Sequence, residues 1–336
     1  MKRRTTLALL AGGLLGGCAG PLPASRTGGC AGPLPASRTG EDQAYLFSYF
    51  LGNGADGLHF AASRDGYQWE ALRGGASFLA PTVGPAKLMR DPCIARGPDG
   101  LFHMVWTSGW NDPGIGYASS PDLVRWSDQR SLPVMAHEPG ALNAWAPEVF
   151  YDAGRGHFLI LWSSTIPGRF PRTEAGGDAA GDKKYDHRIY ATTTKDFASF
   201  TPTRLFYDPG FSVIDATFVR ALGRDWLVVK DETRHPPRKY LQVASAASLE
   251  GPFGPLSAPV TPVGLWAEGP SALQVGDEVL LYFDAYTAGH YGALRSRDML
   301  HWEDVSTRMR FPHKMRHGTA FAAPASLVER LRALAP

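Results

Sequence analysis

One phrase recurs five times along the chain: alternating small and apolar residues, then a polar turn, then often a Trp. That recurrence predicts an all-β fold, a five-bladed β-propeller with four antiparallel strands per blade. Two further observations agree with it. A second strand pair with a Gly-containing turn lies ahead of the phrase, as in DPCIARGPDGLFHMVWTS, APEVFYDAGRGHFLILWSS and GPSALQVGDEVLLYFDAY. The 38 Gly and 27 Pro supply many turns, and 11% aromatics with nine Trp fit short strands better than a helical bundle.

Taken from the front, residues 1–18 read as a lipoprotein-type export signal. Lys2, Arg3 and Arg4 precede an apolar stretch from Leu7 to Leu15, too short to span a bilayer as a mature helix. The stretch ends in Leu15-Gly16-Gly17-Cys18, which resembles a bacterial lipoprotein box, with Cys18 as the lipidated residue. A plain secretory signal and a twin-arginine signal at Arg3-Arg4 are the alternatives. Residues 19–41 read as a duplicated Gly/Pro-rich tether, because CAGPLPASRTGG at 18–29 returns as CAGPLPASRTGE at 30–41. Cys93 is then the only Cys in the folded part, so no disulfide forms within it. The protein is expected to be exported, periplasmic or held at the outer membrane of a bacterium, touching membrane only through the lipid anchor, and monomeric.

Residues 42–325 are assigned to the propeller. The phrase starts at Gly57, Gly114, Arg188, Tyr240 and His290. Alternation reads as a strand, the polar turn as a hairpin, and the Trp segment as the next strand. Five such sheets cannot bury their faces singly, but a radial arrangement lets each cover its neighbours. The first copy lacks an innermost strand, and HGTAFAAP from His317 has the pattern to supply it, closing the ring and removing an open edge. The tail, 326–336, reads as a short surface helix.

Charge narrows the function. With 34 Lys+Arg against 32 Asp+Glu the net charge is +2, and no basic run follows residue 40, which argues against a nucleic-acid partner. The first strand of each blade lines the central channel. The expected starts of these strands are Arg90-Asp91-Pro92, Trp145-Ala146-Pro147-Glu148, Ile214-Asp215-Ala216, Ala267-Glu268-Gly269-Pro270 and Arg316-His317-Gly318. Four carry an acid and the fifth a His. Acids crowding one axis separate one another's pKa values, as acid/base catalysis requires.

These elements resemble glycoside hydrolase family 43, a family of five-bladed propellers. Asp91 in MRDPCIA matches the family's general base, Asp215 in SVIDATF its pKa-tuning acid, and Glu268 in WAEGPSAL its general acid. The Trp145-Ala146-Pro147 element is also typical, with Glu148 where the family usually has Asp. The resemblance implies inversion. Glu268, kept protonated by neighbouring carboxylates, would protonate the leaving oxygen while Asp91 activates water on the opposite face of the sugar. Asp215 would raise the Glu268 pKa and hold its carboxyl.

Trp145, Glu148, Trp110, His317, Lys230 and Tyr286 are the candidate substrate-binding residues. Trp110 and Trp145 could stack on sugar rings, and the basic loop Arg234–Lys239 is either a solvated turn or a grip on an acidic sugar. Asn111-Asp112-Pro113 resembles the nucleophile box of fructan-cleaving propellers, but its order relative to Arg90-Asp91-Pro92 is wrong for them. The resemblance implies no required cofactor, and a Ca²⁺ at the axis near His317 stays open. It implies an oligo- or polysaccharide substrate from plant-type or microbial side chains and exo cleavage. α-L-Arabinofuranosidase activity is favoured over β-xylosidase or galactan- and arabinan-cleaving activity; a non-catalytic glycan-binding propeller lipoprotein is the reading of another class.

Overall fold

The structure is a computed structural model that describes residues 43–173 and 185–336. The export signal, the tether and Cys18 lie outside the described residues. The first sheet opens with β1 (Gln43–Leu51), β2 (His59–Ser63) and β3 (Glu70–Ala71). The second holds β4 (Arg90–Arg96), β5 (Phe102–Thr107), β6 (Ile115–Ser120) and β7 (Arg130–Leu132). The third holds β8 (Trp145–Asp152), β9 (His157–Thr165), β10 (His187–Thr194) and β11 (Arg204–Tyr207). The fourth holds β12 (Val213–Ala221), β13 (Arg224–Asp231) and β14 (Leu241–Ala246); the fifth holds β15 (Glu268–Val275), β16 (Glu278–Ala285), β17 (His290–Ser296) and β18 (Glu303–Asp304). The chain ends with β19 (Met315–Pro324) and α1 (Ala325–Arg332).

Every pairing within these sheets is antiparallel, and the innermost strands touch in a ring: β4 with β8, β8 with β12, β12 with β15, β15 with β19, β19 with β4. This is the expected five-bladed propeller. β19 pairs with β1 from Pro324 opposite Gln43 to Met315 opposite Leu51, so the chain's end closes the ring as foreseen. The fourth sheet differs in having three laddered strands. Residues 254–260 run beside β14 with backbone bonds from Gly254, Ser257 and Val260, but Pro255 and Pro259 in that segment have no N–H to extend a ladder.

The period of two in each strand sorts side chains to two interfaces. In β9, Phe158, Ile160 and Trp162 pack toward the second sheet, while Leu159 and Leu161 pack toward the fourth. In β16, Val279, Leu281 and Phe283 face the fourth sheet, and Leu280 and Tyr282 face the first. Five apolar clusters result, one in each wedge between neighbouring sheets. Both faces are buried, so these strands read as nearly continuous apolar runs. The polar turn of the repeated phrase is a Ser/Thr-x-Asp turn. Ser63–Asp65, Ser120–Asp122, Thr194–Asp196 and Ser296–Asp298 each accept the next backbone N–H groups through their side chains. The tail is more than a surface feature: Leu327, Val328 and Leu331 of α1 are buried in the wedge between the first and second sheets.

Candidate active site

All five innermost strands break register at the same level. The shifts fall between Arg90 and Cys93, Trp145 and Glu148, Ile214 and Thr217, and Glu268 and Ser271, and β19 slips between Arg316 and Thr319. Such bulges re-aim side chains beside functional sites. Within them Asp91, Ala146, Asp215 and Gly269 adopt left-handed φ values of 51°, 46°, 53° and 57°. The bulges define three levels down the axis. Arg90, Trp145, Ile214, Glu268 and Arg316 form the upper one. Asp91, Ala146, Asp215, Gly269 and His317 form the middle one. Cys93, Glu148, Thr217, Ser271 and Thr319 form the lower one.

A cavity of about 650 Å³ opens over the upper two levels, within the range for ligand sites. Asp91, Asp215 and Glu268 all line it, from three separate sheets, together with Trp110, Trp145, Lys230, Tyr286 and His317. Glu148 is the one candidate that does not. The bulge presents Ala146 to the cavity and turns Glu148 into the level below, where it is buried and accepts bonds from Thr217 Oγ1 (3.0 Å), Thr319 Oγ1 (3.3 Å) and Cys93 Sγ (3.4 Å). Burial pushes its carboxyl up to about 7 despite these donors and the nearby charge of His317. It braces the inner strands of four sheets.

Asp91 accepts from Thr107 Oγ1 at 2.7 Å, and Thr107 Oγ1 in turn accepts the Ala146 N–H at 2.8 Å, so the third sheet fixes the side chain of the second. His317 Nδ1 lies 3.3 Å from the other Asp91 oxygen. Burial would raise the Asp91 pKa, but the bond and charge of His317, the charge of Arg90 and the Thr107 bond bring it to about 2. Burial likewise disfavours a charged His317, yet Asp91, then Asp215 and Glu148, raise its pKa to about 9. At neutral pH this is an aspartate against an imidazolium. Ca²⁺ prefers oxygen ligands, and among the described residues His317 is not part of a group of His, Cys, Asp or Glu close enough together to hold a metal. Among the described residues, a His/carboxylate group with ligand atoms close enough for a metal lies elsewhere, at Asp152, His157 and Glu250, where Arg155 and Arg204 already pair with the carboxylates.

Asp215 accepts the Gly269 N–H at 2.9 Å, and burial, with Glu268 and Asp91 adding to it, raises its pKa to about 6 against the pull of His317 and Lys230. It therefore holds the backbone next to Glu268, not the Glu268 carboxyl as expected. Glu268 itself is bonded at Oε2 by Lys230 Nζ and at Oε1 by Arg316 Nη2, each 3.1 Å away. Two cations are thus its hydrogen-bond partners. Gly269 is required twice over: its φ is left-handed, and a Cβ would approach the His317 ring to 2.5 Å.

The wall follows from the loops. Lys230, fully buried, bridges Glu268 and Glu232 (2.8 Å) and lies 4.7 Å from the Tyr286 ring centre. Lys239 pairs with Glu232 at 2.5 Å, and the Glu232 pKa is held at about 2, burial opposing and the two lysines prevailing. Trp110 stacks edge-on to Trp145 (5.6 Å) and receives the Trp145 indole N–H at its carbonyl (2.9 Å). Trp266 and Tyr286 approach to 6.1 Å on the fifth-sheet side. Sequence reasoning had not singled out Trp266, Thr107 or Arg90. Trp266 precedes the Ala267-Glu268-Gly269-Pro270 element directly, which was the available signal. Asp112 of the Asn-Asp-Pro box is buried in its loop, bonded by Ser108 Oγ and the Gly114 N–H, and does not line the cavity.

A five-bladed propeller with three carboxylates around one axial cavity defines a class of carbohydrate-active proteins. Within that class, residues 41–326 match the model of the glycosyl hydrolase family 43-related family, described as a probable glycosyl hydrolase domain, and the chain belongs to this family. An α-L-arabinofuranosidase of Bifidobacterium longum subsp. longum is 24% identical over 213 residues, covering 58% of this chain and 20% of that protein. The chain thus spans a fifth of the length of that relative. Among solved structures, an α-L-arabinofuranosidase from Lactobacillus brevis superposes with a TM-score of 0.52 at 20% identity, over 65% of this chain and 72% of its own. A thermostable family-43 glycoside hydrolase does so at 0.48 and 18% identity, over 64% and 71%.

Proposed function

We propose that the protein is an inverting, exo-acting glycoside hydrolase, with α-L-arabinofuranosides as the first substrates to test. The observation that carries the reading is the meeting of Asp91, Asp215 and Glu268 at one cavity from three sheets. Asp91, ionised down to about pH 2, acts as general base. It takes a proton from water as the water oxygen bonds to the anomeric carbon, and the bond to the leaving oxygen breaks with a proton from Glu268. Asp91 ends protonated and Glu268 ionised, and solvent exchange restores both. Lys230 and Arg316 hold Glu268 in place, and Lys230 keeps Glu232 as partner when Glu268 takes up its proton. Asp215 is a positioning residue acting through the Gly269 N–H.

Arabinofuranoside is favoured because the Bifidobacterium longum relative and the Lactobacillus brevis protein are both α-L-arabinofuranosidases. Exo action is the expectation taken from the sequence, and the aromatic rings Trp110, Trp145, Trp266 and Tyr286 that line the cavity are suited to hold a sugar ring there. The Leu15-Gly16-Gly17-Cys18 element supports export and lipidation. Turnover of 4-nitrophenyl α-L-arabinofuranoside, β-D-xyloside and β-D-galactoside tests the reading. Release from the first is expected, and failure on all three and on arabinan and galactan oligosaccharides favours a glycan-binding propeller.

A further inference from the structure

We propose that a second cavity, between the fifth and first sheets, seats the sugar unit on the leaving side of the bond that Glu268 protonates, so that the substrate is an oligosaccharide held on both sides of that bond. The inference rests on the hydrolase reading for which bond breaks, and adds where the departing, uncharged sugar is bound.

This cavity measures about 560 Å³ and adjoins the catalytic one, because Tyr286 lines both. One wall comes from the end of the β16–β17 turn, with His290 at the start of β17. The other comes from the segment that leads into β19, with Phe311 and His313. Asp284 and Arg316 line it as well. Arg316 links the two spaces. Its Nη2 donates to Glu268 Oε1 at 3.1 Å and its Nε to Asp284 Oδ2 at 2.5 Å, and Asp284 is buried. The guanidinium that holds the general acid is therefore itself held by a carboxylate of the second cavity.

The direction in which the leaving group departs selects this cavity. Asp91 and Glu268 stand on the second and fifth sheets, which are not neighbours in the ring. In an inverting reaction water enters on the side of the base and the leaving group departs on the side of the acid. The bond to the leaving oxygen therefore points toward the fifth sheet, and the second cavity lies beside that sheet, past Tyr286. Its lining joins the rings of Tyr286 and Phe311 to the hydrogen-bonding groups of Asp284, His290 and His313. Rings suit the apolar C–H face of a sugar, and the polar groups suit its hydroxyls. A sugar seated there packs beside Arg316, which also holds Glu268, so binding energy gained in this cavity is expressed in kcat as well as in KM.

The test compares substrates whose leaving groups are both alcohols and differ in carrying a sugar: methyl α-L-arabinofuranoside against α-1,2-, α-1,3- and α-1,5-linked arabinobiose. Where xylose or galactose is the sugar released, the methyl xyloside is set against xylobiose and the methyl galactoside against galactobiose. The best disaccharide is expected to exceed its methyl glycoside about tenfold in kcat/KM, with part of the gain in kcat. Replacing both exposed histidines, His290→Ala with His313→Ala, is expected to lower kcat/KM for that disaccharide about tenfold, as the loss of two hydrogen-bonding groups implies. The methyl glycoside should lose several times less. His313→Trp, which fills the cavity, should act in the same direction, so the outcome does not depend on one variant folding. Equal rates on the two substrates in the wild type, or equal losses on both in the variants, overturn the proposal while the hydrolase reading stands. If no methyl glycoside, 4-nitrophenyl glycoside or disaccharide is hydrolysed, the hydrolase reading falls and takes this inference with it.

Discussion

Replacing Asp91 by Asn keeps the shape of the side chain and removes its charge. Two consequences follow from the pair it forms with His317. Turnover falls, because the amide cannot take the proton from water; general-base removal costs on the order of 10²–10⁴-fold. Stability also falls. Moving the Asp91 pKa from 3.8 to about 2 corresponds to about 2 kcal/mol of stabilisation at neutral pH, a loss that lowers the melting temperature by roughly 4–8 °C in a domain of this size. The pH dependence is more specific. The Asp91 share is present above pH 3.8 and lost as pH falls through about 2. The His317 share is fully present below pH 6.5 and lost as pH rises through about 9. Wild-type melting temperature should therefore decline between pH 6.5 and 9. In Asp91→Asn the ring keeps only the smaller support of Asp215 and Glu148 against burial, and this decline shrinks. Melting curves from pH 5 to 10 and turnover of a 4-nitrophenyl glycoside measure both. A variant that keeps a tenth or more of the wild-type rate, or that declines between pH 6.5 and 9 as the wild type does, refutes the reasoning.

Glu268→Gln is expected to lose at least 100-fold on a 4-nitrophenyl glycoside and far less on a 2,4-dinitrophenyl glycoside, whose leaving group needs little protonation; equal losses on both would deny Glu268 the acid role. Gly269→Ala forces a Cβ against the His317 ring in a left-handed conformation, so both melting temperature and turnover should drop, while unchanged values would show that this approach is not as close as described. Cys18→Ser should move the expressed protein from the membrane fraction to the soluble one, and continued membrane association would discard the lipid anchor.

The repeated phrase made the blades legible because each sheet buries both faces, and its apolar runs and Ser/Thr-x-Asp turns must recur. Ring closure was readable for the same reason: the first copy lacked a strand and the last segment had one to give. The bulges were not readable. Asp91, Ala146 and Asp215 take left-handed φ values with no Gly to announce them, and only Gly269 carried a signal. That gap explains the misplacement of Glu148, which looked equivalent to the other acids but lies one level below Asp91 and Asp215 and two below Glu268. It also explains the neighbours of Glu268. Lys230 and Arg316 reach it from other sheets, and no local pattern links positions 230, 268 and 316. The three-strand fourth sheet was hidden by a phrase that looked complete although its last segment is broken by proline.

Most directly, proton NMR of the first product formed from an aryl glycoside reports the anomer before mutarotation. A water activated by Asp91 opposite a leaving group protonated by Glu268 gives a sugar of inverted configuration. A first-formed product of retained configuration would contradict direct attack by water and require a covalent intermediate on the chain.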